Sequence, residues 1–377
     1  MARLDSFCTI NMGQSPDSST YNENQNGIPF FQGNADFGEF YPTVRMWCSK
    51  PTKIAHEGDI LISVRAPIGA LNFANCECCI GRGLASLKAN DARCIQKYLW
   101  YALESKVGEL NAKGTGSTFK AISKSVLSET EIPLPSLEEQ RKIAAVLDKV
   151  SDLIAKRRQQ LEKLDLLVKA RFVEMFGNLV IGDKISTNKY RIGEIASVTK
   201  LAGFEFTKYI QYKETGDIIM LRGLNCKKGH LVLDDIKWID KETSDLLPRS
   251  KLFYGDILMT YAGTIGDVAL VDEDNKYHLA PNVAKITLND KKKINPIFLI
   301  HLFMYSNDYI MTFASQVAQA SINMEKIRNF EYFFPDTKLQ NEFVDFVEQT
   351  EKTKTSIRES LTKLETLKKA LMQEYFG

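Results

Sequence analysis

The most regular alternation of apolar and polar positions in the chain begins at Ile143. Ile143, Leu147, Val150, Ile154, Leu161, Leu164 and Val168 follow alternating steps of four and three, with only Arg157 polar in the series. Such spacing is the seam of a helix that packs lengthwise on another helix. Ahead of it, Ser136-Leu137-Glu138-Glu139 has the form of a capping box, in which Ser136 accepts from the Glu139 amide and the Glu139 carboxylate reaches back. A second stripe, Phe343, Val347, Ile357, Leu361, Leu364 and Leu371, follows Thr337-Lys338-Leu339-Gln340, which can cap it similarly. It carries Thr350 and Lys354 where the first stripe has Val150 and Ile154, so its middle is the weaker part. Each pattern predicts a helix of nearly forty residues, on the order of 55 Å at about 1.5 Å per residue. A rod of that length needs a partner for its apolar face.

Upstream of each stripe lies a strand-rich region. Asp59 to Val64 is a short apolar run closed by Ala66-Pro67, and Asp256 to Tyr261 is one closed by Gly263. A helix follows in both places. Ile95, Leu99, Ala102, Leu103 and Leu110 keep helical spacing, and Asn295-Pro296 supplies the N-cap and first-turn residues of the counterpart.

These regions are one unit written twice. Gly58-Asp59-Ile60-Leu61 returns as Gly255-Asp256-Ile257-Leu258, and Ile68-Gly69 as Ile265-Gly266, at an offset of 197. Further along the offset is 200: Tyr98-Leu99 meets Phe298-Leu299, Ile122 meets Ile322, Pro135 meets Pro335, Gln140 meets Gln340, and Phe176-Gly177 meets Phe376-Gly377. The three extra residues are expected between Ala70 and Gly83, at a hairpin tip, because loops absorb insertions.

The pattern therefore predicts an α+β protein with two pseudo-symmetric mixed strand and helix domains, 1–135 and 178–335. A long antiparallel two-helix coiled coil, from helices in 136–177 and 336–377, separates them. The second domain begins where the first helix ends and delivers the chain into the second helix, so two packed helices run antiparallel with one domain at each end. DNA repeats its groove faces roughly every 34–36 Å, which makes such a calliper suited to two half-sites with an unread middle. The domains differ in sequence more than the helix positions do, so the half-sites should differ too.

Composition changes this picture little. The 44% apolar and 25% charged content is that of a globular chain, and 377 residues suffice for two good cores. A net charge of +2 does not announce a polyanion partner, so any nucleic-acid surface must be local. Seven irregularly spaced cysteines argue against a disulfide framework and for a reducing, cytoplasmic setting. No apolar run reaches the length of a membrane span, and the N-terminus lacks a signal-peptide pattern, so no membrane association is expected.

One phrase carries a family resemblance. Ile132-Pro133-Leu134-Pro135-Ser136-Leu137-Glu138-Glu139-Gln140, leading into the Leu-rich helix and closing at Phe176-Gly177, resembles the first spacer of the specificity subunit of type I restriction-modification enzymes. The two Gly-Asp-Ile-Leu strands resemble its target recognition domains. The second copy departs from the pattern, reading Tyr332-Phe333-Phe334-Pro335 and placing Asn341 where Arg141 stands. The resemblance implies a non-catalytic subunit that binds a bipartite, asymmetric sequence in double-stranded DNA. It also implies two DNA-adenine methyltransferase subunits and, through them, restriction/translocase subunits as partners. S-adenosylmethionine, ATP and magnesium would belong to those partners, with no cofactor or metal in this chain. Gln140, Arg141, Leu161, Leu164, Gln340, Leu361 and Leu364 are then the candidate subunit-interface residues.

The residues themselves offer little catalytic chemistry. The chain has no Asn/Asp-Pro-Pro-Tyr motif for adenine methylation, no Gly-rich phosphate loop ending in Gly-Lys-Ser/Thr, and no paired histidines at zinc spacing. Glu104-Ser105-Lys106 with Asp91 could end a nuclease-type acidic cluster, against the simpler reading of a solvated helix face. Cys76, Cys78, Cys79 and Cys94 with His56 could hold zinc, but they lack a C-x-x-C pairing and read as core or hairpin residues. His301 is read as a core-edge residue on its helix. A coiled-coil scaffold whose end domains bind proteins, and a self-contained methyltransferase or nuclease, are the competing functional classes.

Sequence reading needs Arg, Lys, Asn and Gln at base edges and Lys, Arg, Ser and Thr at phosphates. In the first domain the candidates are Gln14, Gln32, Arg45, Arg65, Arg82 and the loop carrying Lys113, Thr115, Ser117 and Lys120. In the second they are Lys200, Arg222, Asn225, Lys227, Tyr261, Thr264 and Gln319. Exposed basic residues are more often merely solvated, so part of this set is expected to be bystanders.

Overall fold

The computed structural model describes residues 1–116, 120–315 and 320–377. The chain forms two units, residues 1–159 with 358–377 and residues 160–357. The first unit is built on a four-stranded antiparallel sheet in the order Cys8–Met12, Leu84–Ala89, Ile60–Ser63, Leu71–Phe73. The second repeats it with Ala196–Lys200, Val283–Leu288, Ile257–Thr260, Val268–Leu270.

The repeated Gly-Asp pair explains how the third strand of each sheet begins. Gly58 and Gly255 adopt φ of 82°, the left-handed region that glycine enters without steric cost. The buried Asp59 carboxylate then accepts the His56 amide at 3.0 Å, and Asp256 accepts the Phe253 amide at 2.9 Å. Each pair makes a turn that feeds an entirely buried strand. The insertion falls partly elsewhere than expected. Two extra residues lengthen the loop at 271–276 relative to 74–77, and the third lies before the helix, at 289–295 relative to 90–95.

Beside each four-stranded sheet lies a second one, five-stranded in the first unit and three-stranded in the second, containing a parallel strand pair: Ile28–Phe31 with Cys78–Ile80 in the first unit, Ile218–Leu221 with Tyr277–Leu279 in the second. A helix packs on the core of each unit, Gln96–Ser105 and Pro296–Tyr305, the latter capped by Asn295, whose side chain accepts the Ile297 amide at 3.0 Å.

The long helices run Leu137–Phe176 and Thr337–Phe376. Ser136 accepts the Glu139 amide at 3.3 Å, as its spacing predicts. The second cap is Asp336, not Thr337: its carboxylate accepts the Leu339 amide at 2.8 Å, while the Thr337 hydroxyl donates to the Lys293 carbonyl. In the first unit Arg158 pairs with Glu365, and in the second Asp165 pairs with Lys354, so position rises along one helix as it falls along the other. The two form an antiparallel coiled-coil spacer.

The apolar stripes do more than make that seam, because their ends enter the globular cores. Ile143, Leu147 and Phe376 are buried in the first unit's core, Phe376 against Tyr98 at a ring distance of 5.3 Å. Val168, Phe172, Phe176 and Phe343 join the second unit's core, where the phenylalanines meet edge to face. Each such aromatic contributes about 1.5–3 kcal/mol by burial alone.

Candidate nucleic-acid interface

Parallel pairing brings loops together. In the first unit Phe31 and Ile80 are partners in the ladder, so the loops that follow them leave the sheet side by side. The Gly81 amide donates to Phe31 O at 2.8 Å, and the Val64 amide to Gly83 O at 2.9 Å, which draws Arg65 beside Arg82. The result is a cleft of about 230 Å³ lined by Gln32, Gly33, Asn34, Arg65, Arg82 and Gly83. Gln32, Arg65 and Arg82 are exposed. Among the described residues neither of these guanidiniums has an ion-pair partner. The packing is close: a Cβ at Gly83 would lie 2.4 Å from the Gln32 carbonyl oxygen.

Other first-unit candidates support this cleft or lie apart from it. Arg45 sits 3.7 Å from Asp36 and donates to the Ala35 carbonyl, and the other Asp36 oxygen accepts the Gln32 amide at 2.8 Å. Arg45 thus braces the loop that carries Gln32. Thr115 exchanges backbone hydrogen bonds with Ala121, itself bridged to Arg65, so Thr115 and Lys120 approach the cleft from one side. Lys113 pairs with Glu109 at 2.6 Å and its hydrogen bond holds that carboxyl below its ordinary value. Gln14 is exposed, with its backbone anchored to Ile80 and Thr52. Ser117 lies outside the described residues.

The second unit repeats the scaffold with different side chains. Leu221 and Leu279 are ladder partners, the Ala280 amide donates to Leu221 O at 3.2 Å, and the Tyr261 amide donates to Asn282 O at 3.0 Å. Arg222, at the loop's start, is turned inward: its guanidinium donates to the Asp235 carboxylate at 2.8 Å and carbonyl at 2.9 Å. Asn225 is not a DNA-facing residue. It is fully buried, accepts the Arg222 amide, and donates both amide hydrogens to the Val232 and Asp235 carbonyls, so no donor remains for a base and the group is out of a base's reach. Lys200 lies over the Tyr261 ring at 5.4 Å, Lys227 pairs with Asp267 at 3.0 Å, and Thr264 is exposed with its carbonyl accepting from Thr260. Gln319 lies outside the described residues.

Two of the subunit-interface candidates are also corrected. Gln140 is buried, accepts the Ile95 amide at 2.9 Å and donates to the Arg93 and Pro135 carbonyls at 3.0 and 2.9 Å. Gln340 does the same with Asn295, Lys293 and Pro335. These glutamines lock the start of each long helix to the start of the helix on the core, and their side chains face no partner. Arg141 is exposed, and Leu161, Leu164, Leu361 and Leu364 are half-buried. The sequence reading missed exposed apolar positions on the first long helix: Val146 and Leu153 in the first unit, Leu166, Leu167 and Val173 in the second. The seven-residue step from 146 to 153 was the signal available.

The alternative chemistries find no support in the packing. Cys94, Cys78 and Cys79 belong to three different core clusters, and among the described residues no group of three His, Cys, Asp or Glu could hold a metal. Glu104 is partly exposed on its helix and pairs with Lys368 of the second long helix at 2.9 Å, a structural ion pair. His301 meets Tyr305 OH at 3.2 Å and is flanked by the Phe343 ring, and this desolvation pushes it down to about 4. Among the described residues no helix is long and apolar enough to cross a membrane.

A duplicated α+β unit with unlike side chains at matched strand ends, joined through an antiparallel two-helix spacer, defines a protein of two recognition modules. The family model described as the type I restriction modification DNA specificity domain matches residues 1–164 and 186–368, and the chain belongs to that family, the specificity subunits of type I restriction-modification systems. A putative type I restriction enzyme MjaX specificity subunit from Methanocaldococcus jannaschii is 44% identical over 161 residues, which span 43% of this chain and 38% of that one. The EcoBI specificity subunit of Escherichia coli is 23% identical across 99% of this chain and 84% of its own. The crystal structure of a type I restriction-modification S subunit from M. genitalium shares the fold, with a TM-score of 0.56 at 15% identity over 100% of this chain and 95% of that one.

Proposed function

We propose that this chain is the non-catalytic, sequence-reading subunit that recognises a bipartite asymmetric DNA site and directs methyltransferase and restriction subunits to it. The observation that carries the reading is a family match covering both copies of a unit whose matched strand ends carry different side chains. Two copies of one fold suit two half-sites, and unlike side chains suit an asymmetric site. The half-buried and exposed apolar positions of the long helices are the surface on which DNA-adenine methyltransferase subunits would seat, with S-adenosylmethionine, ATP and magnesium held by those partners and by the restriction/translocase subunits.

The test is methylation mapping by long-read sequencing in cells expressing this chain with and without a cognate methyltransferase subunit. A two-part adenine-methylated motif with an unread gap, appearing only with both present, is the expected result. Methylation from this chain alone would reveal an enzyme. A salt-insensitive complex and no methylated motif would favour the protein-binding scaffold, since phosphate-driven binding weakens steeply with salt.

A further inference from the structure

The first unit's cleft lies at strand ends that the second unit repeats. The parallel ladder ends at Phe31 with Ile80 in the first unit and at Leu221 with Leu279 in the second, and the same two backbone hydrogen bonds follow in each. Positions therefore correspond one to one: Asn34 with Leu224, Arg65 with Ala262, Arg82 with Pro281, Gly83 with Asn282. The first cleft offers two unpaired guanidinium forks and two carboxamides. At the matching positions of the second unit Arg222 is spent on Asp235, Leu224 is exposed at 43%, Ala262 and Pro281 are half-buried, and Asn282 is exposed.

We propose that the first unit reads a half-site containing a G·C pair through Arg65 and Arg82, whereas the second reads an A·T pair at the matching place through Asn282, Leu224 and Ala262. This assignment rests on the reading of the chain as a DNA-sequence reader. In the major groove guanine presents two acceptors, O6 and N7, which a guanidinium fork engages together; adenine N6 and N7 match a carboxamide, and the thymine methyl rewards apolar contact. The glycine-tight packing of the first cleft's loops fixes the backbone from which the two arginines extend, while their guanidiniums remain free to engage a base edge.

The experiment is methylation mapping of the complex formed with the cognate methyltransferase, comparing the wild type with Arg65→Lys, Arg82→Lys and Asn282→Ser. Lysine keeps the charge and the solvated position but loses the fork, so the variants should fold, which circular dichroism checks. Each arginine variant should lose roughly 5- to 150-fold of discrimination at one G·C pair in one half-site, the equivalent of about 1–3 kcal/mol, and leave the other half-site untouched. Asn282→Ser should relax one A·T pair in the other half-site alone. Uniformly weaker methylation of an unchanged motif would make the arginines phosphate contacts and overturn the assignment, as would a first half-site without a G·C pair. Absence of any motif with the wild type would instead overturn the functional reading, and this assignment with it.

Discussion

Replacing Gln140 by Leu keeps the volume of a buried side chain and removes all its hydrogen bonds. The change leaves the Ile95 N–H and the Arg93 and Pro135 carbonyls without the amide that pairs them at 2.9, 3.0 and 2.9 Å. An unpaired buried group costs about 1–3 kcal/mol. The carbonyls of exposed Arg93 and half-buried Pro135 can recover water, so the sum is discounted to about 2–4 kcal/mol. For a unit of this size about 1 kcal/mol moves the melting midpoint by about 2–4 °C, which puts the shift at about 4–16 °C. Thermal and urea unfolding of the full chain, followed by circular dichroism, measure it. Gln340→Leu should act equally on the second unit, and Arg141→Ala, at the exposed neighbour, should change stability by less than about 0.5 kcal/mol. A Gln140→Leu midpoint within about 0.5 kcal/mol of wild type, accompanied by loss of methyltransferase binding, would refute the structural role and restore the side chain to the subunit interface.

Three further outcomes follow from the packing. His301 has its value lowered from 6.5 to about 4, so the unfolded chain takes up the proton first and stability falls as pH drops from about 6.5 toward 4. With its partial exposure the loss is about 2–3 kcal/mol, His301→Phe should abolish it, and an unchanged pH slope in the variant's urea midpoints would refute the cause. Lys354, buried beside Asp165 and Glu351, stands where the first copy has Ile154; half-exposed Asp165 can rehydrate but the less exposed Glu351 loses a partner that favours its charge, so Lys354→Ile should cost about 1–3 kcal/mol, and a variant as stable as wild type in urea titration would contradict this. Each long helix is shared by the two units, and deleting one helical turn from both should change the unread gap in the methylated motif. A gap of unchanged length would end the ruler reading.

Periodicity, capping residues and the internal repeat already determined the two long helices and the duplicated α+β unit, because heptad spacing and turn chemistry are local and survive in one dimension; the family came from the resemblance of the Ile132 to Gln140 phrase. They also pointed to Gln32, Arg65 and Arg82. What they did not reveal is that these residues meet. Gln32 is brought to Arg82 by the parallel pairing of Phe31 with Ile80, and Arg65 by the antiparallel pairing that ends in the Val64–Gly83 hydrogen bond, and no local pattern records such pairing. The same limit explains the errors. Asn225, Gln140 and Gln340 are polar in the sequence and buried in the fold, because backbone amides and carbonyls from distant segments consume their hydrogen bonds. Arg222 looks like a free cation until Asp235, thirteen positions on, closes over it. Residue type determined which groups could read DNA, and only the tertiary structure decided which of them still had unsatisfied donors to do it with.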